Sequence, residues 1–378
     1  MTAPLAYLDN AATTPLRPEA VAAMLPFLGE RFGNPSGSHK VARDARKAVD
    51  EARDTVAHCL GCEPSEVVFT GCGTEADNLA ILGAVRRQAG TAVCGATEHH
   101  AVLHPVEHLG GRVVGVDAHG VIILDELAAA IGPDTRIVSV MAANNEAGTI
   151  QPLMKVTRLV SKRAPGALVH TDAVQAFSWV DIAAVAKHAH LISVSAHKFG
   201  GPKGIGALVV RKGVELEPLL MGGGQEHDRR SGTHNVAGIV AMAEAMRLTH
   251  AERDDTIARV GALRDRLVAE LVAAVPGLHE TVPAEHKVAG SAHLCIEDVE
   301  NEALLFLLER GGVCASAASA CASGAMEPSH VLAAMGVPKE RAHGALRLSL
   351  GWASTEADVA LALSVIPEAV ARLRRTRS

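Results

Sequence analysis

Aromatic residues are scarce in this sequence: its 378 residues include one tyrosine, two tryptophans and six phenylalanines. Such scarcity argues against the stacked aromatic platforms on which many proteins bind single-stranded nucleic acid. Basic runs are also lacking, apart from RLRRTRS at the end of the sequence, and the formal net charge is −6. Because binding to a phosphate backbone needs a basic surface, we expect no direct nucleic-acid partner. Any flat cofactor ring must also stack on something other than an aromatic side chain.

Long apolar runs are absent as well. No uninterrupted apolar stretch reaches the roughly 18 residues that a membrane helix requires, so we expect no membrane partner. The first residues, MTAPLAYLDNAATTPL, contain Asp9 and lack the apolar segment of a secretory signal. The seven cysteines are odd in number and have no disulfide-framework spacing. The sequence therefore predicts a cytoplasmic protein with reduced thiols.

Two patterns superficially resemble metal sites. Cys59 and Cys62 form a CxxC pair, but no second pair follows at the spacing of a zinc site. His100, His104 and His108 lie four residues apart, but Pro105 interrupts their shared face. We interpret both patterns as structural or solvated and predict no metal site.

Apolar, β-branched runs alternate with helical patterns through the first two thirds of the sequence. The runs are at 66–70, 136–146, 167–172, 190–197 and 204–211. Several are continuously apolar, which favours parallel strands buried on both faces, and the alternation predicts an α/β domain. Residues 251–275 read as one long amphipathic helix, followed by a smaller α+β region. We expect the domain boundary to lie within that helix.

Two of the predicted strand ends carry groups suited to anions or to a ring nitrogen. The first strand runs into Gly71-Cys72-Gly73-Thr74 before a helix, a turn whose backbone N–H groups can face a phosphate. The same turn can equally be an ordinary connection. The strand at 167–172 ends at Asp172, which either caps the next helix or holds a heteroaromatic nitrogen in its protonated form.

Two further loops complete a possible cofactor site. Lys198 follows the strand at 190–197 beside a run of glycines, where a lysine can form a Schiff base with an aldehyde. The alternatives are that Lys198 is a solvated cation or that Lys203, in a Gly-Pro turn, is the reactive lysine. Glycines at 222–224 and hydroxyls near Thr233 suit a phosphate. An aspartate, a lysine and phosphate-binding loops are together what pyridoxal 5'-phosphate requires.

These segments make the sequence recognisable. It closely resembles the NifS/IscS-type (group I) cysteine desulfurases, which are class V, fold type I pyridoxal-phosphate enzymes. The matches run in order from residue 8 to about residue 352. The matching segments are LDNAATTP, GNPSGSH, VVFTGCGTEADNLA, TEHHAVL, NNEAGTIQP, HTDAVQA, SAHKFGGPKGIG, GGGQEHDRRSGT and ACASGAMEPSHVLAAMG.

The resemblance implies a role for each candidate site residue. Lys198 would form the Schiff base, Asp172 would pair with the pyridine nitrogen, and His99 would stack on the ring and move protons. Gln175 would reach the phenolic oxygen of the cofactor. The residues implied to bind the phosphate are Gly73, Thr74, Ser195, His197 and, from the other subunit of a homodimer, Thr233. The residues implied to bind the substrate carboxylate are Asn145 and Arg347, with Asn145 also at the cofactor.

The catalytic thiol is predicted to be Cys321, within the small-residue stretch SAASACASGAMEP. In the implied reaction it takes the sulfur of L-cysteine as a persulfide, leaves L-alanine, and passes the sulfur to an acceptor. Cys314, seven residues earlier, is the main rival, and we expect it to be the more buried of the two. Cys72 lies close to the cofactor but where the family has no nucleophile, and Cys94 and Cys295 are expected in the core.

The resemblance also implies the domain organisation and the partners. We expect an N-terminal arm at 1–15 packed on the small domain, a large cofactor-binding domain at 16–255 with a mostly parallel sheet, and a small α+β domain at 256–378. Implied partners are a second copy of the chain and a sulfur acceptor, such as an iron–sulfur scaffold or a thiolation enzyme. A class V aminotransferase, a selenocysteine lyase and a non-catalytic scaffold remain alternatives.

Overall fold

The computed structural model describes residues 5–317 and 329–377, with the side chains of 376 and 377 excepted. The described strands, labelled in chain order, are β1 (Ala6–Tyr7), β2 (Val67–Thr70), β3 (Thr91–Gly95), β4 (Arg112–Val114), β5 (Thr135–Ser139), β6 (Leu168–Asp172), β7 (Leu191–Ser195), β8 (Gly206–Val210), β9 (Leu278–Glu280), β10 (Ser291–Ile296), β11 (Val313–Cys314) and β12 (Ala345–Ser349).

The α-helices of the same residues are α1 (Pro18–Met24), α2 (Lys40–Leu60), α3 (Gly73–Arg87), α4 (His100–His108), α5 (Leu124–Ala130), α6 (Leu153–Arg163), α7 (Ile182–Val185), α8 (Val236–Ala251), α9 (Arg253–Ala274), α10 (Asn301–Arg310), α11 (His330–Ala334), α12 (Lys339–Ala342) and α13 (Glu356–Arg377). Short 3₁₀ turns lie at Leu25–Leu28, Pro64–Glu66, Ala196–Lys198, Gln225–Asp228 and Ala284–His286.

A seven-stranded sheet in the order β2-β8-β7-β6-β5-β3-β4 forms the centre of the fold. Strands β7, β6, β5, β3 and β4 pair in parallel, which confirms the predicted α/β class and its mostly parallel sheet. Strand β8, which falls within the apolar run at 204–211, is antiparallel to both β2 and β7. Ten residues, 196–205, join β7 to β8, whereas a parallel return would need a crossover of a dozen residues or more.

Helices cover both faces of this sheet, as a sheet that is apolar on both faces requires. One face packs against α3 and α4, through residues such as Leu79 and Val102. The other face packs against α2, α6 and α8, through residues such as Val56, Val156 and Met242. The carboxyl ends of the parallel strands therefore meet along one edge, between two helical layers.

A second core lies around the three-stranded antiparallel sheet β12-β10-β9. Helices α9, α10 and α13 pack on it, and Ala6 and Leu8 of the N-terminal segment are buried in the same core. Strand β1 pairs in parallel with β11, so the N-terminal segment contacts the C-terminal region, as an arm would. The boundaries at residues 15 and 255 stay a prediction.

The predicted helix at 251–275 differs from the one observed. Helix α8 ends at Ala251 and α9 begins at Arg253, with Glu252 between them in a non-helical conformation. The apolar periodicity of the segment is carried by α9 alone, whose buried residues begin with Arg253 and Val260. The strand expected at 136–146 is also shorter, because β5 ends at Ser139 and the rest forms a loop. Within the described parts of the chain, none of the helices has the length and apolarity to cross a membrane.

Gly206, at the start of β8, gives a test of how tightly the sheet supports the turn before α3. A Cβ atom there would lie 2.8 Å from the carbonyl oxygen of Val194 and 2.9 Å from the carbonyl carbon of Cys72. Both contacts are with backbone, which cannot rotate away. We expect Gly206→Ala to lower the free energy of unfolding by about 1–3 kcal/mol, measured by urea denaturation.

Gly29→Ala is the matched control, because no described atom lies within 4 Å of a Cβ built at that position. It should change the free energy of unfolding by no more than about 0.5 kcal/mol. Equal free energies of unfolding for Gly206→Ala and Gly29→Ala would show that the backbone around Gly206 accommodates a methyl group without loss of stability.

Candidate active site

A cavity of about 330 Å³ opens at the carboxyl edge of the central sheet. Its volume falls in the range of small-molecule and cofactor sites. Its lining residues are Ala11, Ala12, Cys72, Gly73, Thr74, Asp77, His99, Met141, Asn145, Asp172, Val174, Gln175, Ser195, His197, Lys198 and Arg347. The structure thus brings together ten of the predicted site residues, which come from segments far apart in the sequence.

Lys198 ends the 3₁₀ turn that follows β7 and reaches into this cavity. Its Nζ atom donates hydrogen bonds to the carbonyl oxygens of Ala11, at 2.5 Å, and Ala12, at 2.9 Å. Burial, together with the positive charge of Arg347, lowers the pKa of Lys198 to about 8. About a tenth of the amine is therefore unprotonated at pH 7, and this is the form that acts as a nucleophile. Lys203, the alternative, is exposed and lies in the turn beyond.

Asp172 is the last residue of β6 and is 6% exposed. Its Oδ1 atom accepts a hydrogen bond of 2.8 Å from the backbone N–H of Val174, and its carbonyl oxygen accepts one from Ala142. Burial raises the pKa of the carboxyl to about 6, opposed by the Val174 hydrogen bond and the charge of Lys198. The carboxylate is therefore held rigidly and would gain from a cationic partner in the cavity.

His99 forms another part of the cavity lining. Its Nδ1 atom accepts a hydrogen bond of 3.1 Å from the backbone N–H of Ala101 and so caps α4. That bond assigns the ring proton to Nε2. Loss of hydration and then the charge of Lys198 lower the pKa of His99 to about 4, although the ring face remains open to the cavity. The neutral imidazole can therefore stack on a flat ring and accept a proton.

The turn before α3, which also lines the cavity, forms a site suited to an anion. Cys72 is the N-cap of this 15-residue helix but supplies no side-chain cap, so the N–H groups of the first turn remain available. The Oγ atom of Ser195 is buried without a described hydrogen-bond partner. A Cβ at Gly73 would lie 2.9 Å from Val174 and 3.3 Å from Ser195. This position therefore favours glycine.

His197 lies beside these groups, with Nδ1 3.2 Å from the Thr13 hydroxyl. Burial lowers its pKa to about 4, so the ring is neutral. Two donors and a helix N-terminus without a cap meet the needs of a phosphate.

Arg347 and Asn145 line the side of the cavity nearest the small domain. The two Nη atoms of Arg347 donate to the carbonyl oxygen of Asn145 at 2.9 Å and to Oδ1 of Asp9 at 2.7 Å. Each Nη atom keeps a second hydrogen, so a fixed guanidinium remains able to bind a carboxylate. Gln175 donates from Nε2 to the carbonyl oxygen of Ala11 at 2.6 Å.

Two predicted residues lie elsewhere. Thr233 is exposed and is not part of the cavity lining of its own chain. Cys321 lies outside the described residues. Cys314 pairs with Tyr7 in the β1–β11 ladder, and burial raises the pKa of its thiol. Cys94 and Cys295 are buried as expected.

The residues of the two patterns that resemble metal sites in the sequence lie apart from the cavity lining. Cys59 is buried at the end of α2 and Cys62 is partly buried. The rings of His100 and His104 stack with centroids 4.6 Å apart. Across residues 5–317 and 329–377, no three or more His, Cys, Asp or Glu side chains form a group that could hold a metal ion.

Sequence reasoning missed two buried acids, Asp77 and Glu98, and the carbonyl groups that hold Lys198. Asp77 lines the cavity from α3, and Glu98 accepts a hydrogen bond of 2.7 Å from the backbone N–H of Met141. The signal for Asp77 was a carboxylate on the buried face of a helix, four residues from buried Ile81. The carbonyl groups of Ala11 and Ala12 carry no sequence signal at all.

The family profile for class-V aminotransferases matches residues 6–361 of the chain. The chain belongs to this family. A cysteine desulfurase IscS from Methanosarcina thermophila is 44% identical over 376 residues, covering 97% of this chain and 92% of that protein. The predicted family is thereby confirmed.

Two solved structures show the same fold as this class-V chain. A NifS-like protein superposes with a TM-score of 0.91 at 37% identity, covering 97% of this chain and 100% of the other. SspA in complex with cysteine superposes with a TM-score of 0.78 at 30% identity, covering 93% and 100% of the two chains. The predicted fold type I architecture is confirmed by these similarities.

Pyridoxal phosphate, the cofactor of this class-V family, fits the cavity. Lys198 would hold its aldehyde, Asp172 its ring nitrogen and the turn before α3 its phosphate. The unpartnered Ser195 hydroxyl and the glycine at position 73 are the observations that favour a phosphate at this end. The cofactor prediction therefore agrees with both the family and the site.

The lowered pKa of Lys198 predicts how cofactor loading depends on pH. Only the unprotonated amine attacks an aldehyde, so the rate at which cofactor-free protein attaches pyridoxal phosphate should rise with pH and level off above about 8. Absorbance of the attached cofactor measures this rate.

Lys198→Ala should abolish covalent attachment, whereas Lys203→Ala, at the exposed alternative, should leave the profile unchanged. Loss of covalent cofactor attachment in Lys203→Ala, with attachment retained in Lys198→Ala, would overturn the assignment of Lys198 as the reactive lysine.

Proposed function

We propose that this protein is a pyridoxal-phosphate-dependent cysteine desulfurase. It converts L-cysteine to L-alanine and leaves the sulfur on an enzyme thiol as a persulfide. The observation that carries the proposal is one cavity that holds an amine of lowered pKa, a buried carboxylate, an anion cradle and a fixed arginine. The relative named as a cysteine desulfurase supports this activity, and the neighbour in complex with cysteine supports the substrate class.

The overall reaction is balanced without an external oxidant or reductant. The Cβ–S bond of the substrate breaks and an S–S bond to the enzyme thiol forms. Cβ takes up the hydrogen that the two thiols lose, which gives L-alanine and a protein persulfide. When bound, the cofactor ring supplies the sink for the electron pair left at Cα after its proton is removed.

Lys198 is the group that takes this Cα proton. Its pKa of about 8 lets the amine accept and return a proton near neutral pH. His99 presents a neutral imidazole to the same cavity, with Nε2 carrying the ring proton. It can stack on the ring and pass a proton to or from the substrate. The carboxylate of Asp172 keeps the ring nitrogen protonated and so makes the ring a better electron sink.

Arg347 orients the substrate through its α-carboxylate. The guanidinium is 6% exposed and is fixed by Asp9 and Asn145, so little side-chain freedom is lost on binding. A planar fork favours a carboxylate over other groups, which fits an α-amino acid. With the carboxylate held, the thiol of the substrate is free to meet an enzyme thiol.

Cys321 supplies that thiol in our proposal. The chain on either side of it is tied to the cavity. Ser316 exchanges backbone hydrogen bonds with Arg347, of 3.2 and 2.7 Å. On the other side, the Ser329 hydroxyl donates to buried Glu146. These contacts are made by residues on both sides of Cys321, which itself lies outside the described residues, and they support Cys321 as the thiol.

The rival thiol, Cys314, is less suited to the task. It lies within a strand ladder, its carbonyl oxygen accepts a 2.8 Å hydrogen bond from Leu8, and it does not line the cavity. Burial raises its pKa, which reduces the thiolate needed for attack.

We further propose that the enzyme is a homodimer in which Thr233 completes the phosphate site of the partner. Two features support this proposal. Thr233 is exposed in its own chain. Leu25, Leu28 and Phe32 are 59%, 61% and 76% exposed, as apolar interface residues would be when one chain is considered alone.

The persulfide requires a reduced thiol, so we place the enzyme in the cytoplasm, a reducing compartment. Sulfur then passes to an acceptor protein such as an iron–sulfur scaffold or a thiolation enzyme.

Substitution of Cys321 tests the sulfur-transfer step. We expect Cys321→Ser to bind pyridoxal phosphate normally but to lose persulfide formation and nearly all alanine release from L-cysteine. Alanine is measured by chromatography and the persulfide by mass spectrometry of the protein.

Cys314→Ser is the control and should keep both activities. Loss of persulfide in Cys314→Ser with retention in Cys321→Ser would reverse the assignment. Retained turnover of cysteine to a keto acid in Cys321→Ser would favour an aminotransferase.

Substitution of Arg347 tests the carboxylate site. Arg347→Lys keeps the charge but loses the bidentate fork, so we expect kcat/KM for L-cysteine to fall roughly 10- to 100-fold, mainly through KM. Affinity for pyridoxal phosphate should change little, since Arg347 is assigned to the substrate. An unchanged KM would contradict this role.

A further inference from the structure

A row of buried polar side chains crosses the sheet beneath α3, in an otherwise apolar layer. Ser139 of β5, His170 of β6 and Ser193 of β7 are each no more than 1% exposed. Strand register places His170 opposite Ser139, and Asp172 opposite Ser193. Because side chains two residues apart share a face, His170 and Asp172 lie on the same face of β6. The row therefore ends at the aspartate assigned to the ring nitrogen.

His170 is satisfied as a neutral imidazole. Its Nδ1 atom lies 2.8 Å from the Ser139 hydroxyl, and its Nε2 atom lies 2.9 Å from the Ser193 hydroxyl. A neutral ring offers one donor and one acceptor, and a hydroxyl can serve either. Complete burial lowers the pKa of His170 to about 3. This ring consequently supplies no positive charge to its surroundings.

Asp77 of α3 faces this row and is 1% exposed. Its Oδ1 atom is 3.5 Å from Nε2 of His170, beyond a normal hydrogen bond, and that oxygen has no hydrogen-bond partner among the described residues. The carboxyl group does hydrogen-bond the side chain of Ser193. A buried carboxylate without a cation or full hydrogen bonding is costly, and such a group takes up a proton instead. Burial, then the charge of Asp172, raises the pKa of Asp77 well above its usual value.

The other ionisable groups that face Asp77 give it no counter-charge. Glu98, after β3, is also 1% exposed, and its Oε2 atom has no described partner. The thiol of Cys72, at the start of α3, also raises the pKa of Asp77. The nearby cation, Lys198, acts instead on Asp172 and lowers its pKa. Of Asp77, Glu98 and Asp172, it is Asp172 that has both a described backbone N–H donor and a neighbouring cation.

We propose that Asp77 is a positioning residue that stays a protonated carboxylic acid in the loaded enzyme and so leaves Asp172 as the ionised carboxylate beneath the cofactor ring. A second anion beside Asp172 would disfavour its ionisation and return a proton to it. This inference rests on the proposed function in one respect: the ring that Asp172 faces is taken to be that of pyridoxal phosphate.

The protonation state of Asp77 can be read directly by infrared spectroscopy. We expect the difference spectrum between the wild-type enzyme and Asp77→Asn, both loaded with pyridoxal phosphate at neutral pH, to show loss of a carboxylic-acid C=O band. Loss of carboxylate bands instead would overturn the proposal. Glu98→Gln should remove a separate acid band and serves to distinguish the two residues.

The pH titration of the visible absorbance of the bound cofactor gives a second reading. Asn is the neutral counterpart of a protonated acid, so the midpoint in Asp77→Asn should match that of the wild type. If Asp77 were an anion, its removal would destabilise nearby cations and lower the midpoint by about one pH unit or more. Such a drop, or failure of Asp77→Asn to load the cofactor, would contradict the proposal.

Asp77→Leu separates a specific role from simple space filling. A leucine side chain cannot hydrogen-bond the Ser193 hydroxyl, so we expect Asp77→Leu to bind pyridoxal phosphate roughly tenfold more weakly. Asp77→Asn should retain wild-type affinity. Equal affinity in the two variants would contradict the role. The wild-type protein alone also tests the idea, because absence of any acid C=O band at neutral pH would overturn it even where a variant fails to fold.

None of these measurements depends on turnover. A protein that lacked desulfurase activity would leave the infrared result standing, whereas a carboxylate at Asp77 would leave the proposed activity standing.

Discussion

The site depends on the cost of burying charge at the carboxyl edge of the central sheet. Lys198 and Asp172 come from neighbouring strand ends and are both largely removed from water, and each moderates the pKa of the other. Burial draws both pKa values toward neutrality, which gives an amine able to attack an aldehyde and a carboxylate in need of a cation. A pyridinium ring joined to Lys198 would satisfy both groups at once, so binding of the cofactor would offset part of the electrostatic cost of burying them.

The rest of the fold places other groups around this pair. Helix α3 brings its uncapped N-terminus to the phosphate end, while the C-terminal region brings Arg347 across the opposite side. Arg347 also hydrogen-bonds the backbone of Ser316, so the residue proposed to bind the substrate carboxylate contacts the described chain just before the segment that carries Cys321. The N-terminal segment joins the two cores, since Ala11 accepts hydrogen bonds from both Lys198 and Gln175.

Much of this arrangement could be predicted from the sequence because parallel strands end in conspicuous residues. Asp172, Lys198 and the Gly71–Thr74 turn were recognisable once apolar runs fixed the strands, and the family motifs assigned their roles. The reversed direction of β8 could not be predicted, because an apolar run has the same pattern in either direction. Asp77 was missed because its spacing from Ile81 places it on one face of α3 but does not show that the carboxyl group is buried there. The lack of a described partner for its Oδ1 atom appears only when α3 packs over the sheet.

The central claim is that the cavity moves sulfur from cysteine to the protein itself. It is tested most directly by a single turnover of the loaded enzyme with sulfur-labelled L-cysteine and no added reductant. We predict one alanine for each labelled sulfur bound to the protein as a persulfide. Keto acid formed in place of alanine, or label released entirely as free sulfide without a protein-bound stage, would contradict the account.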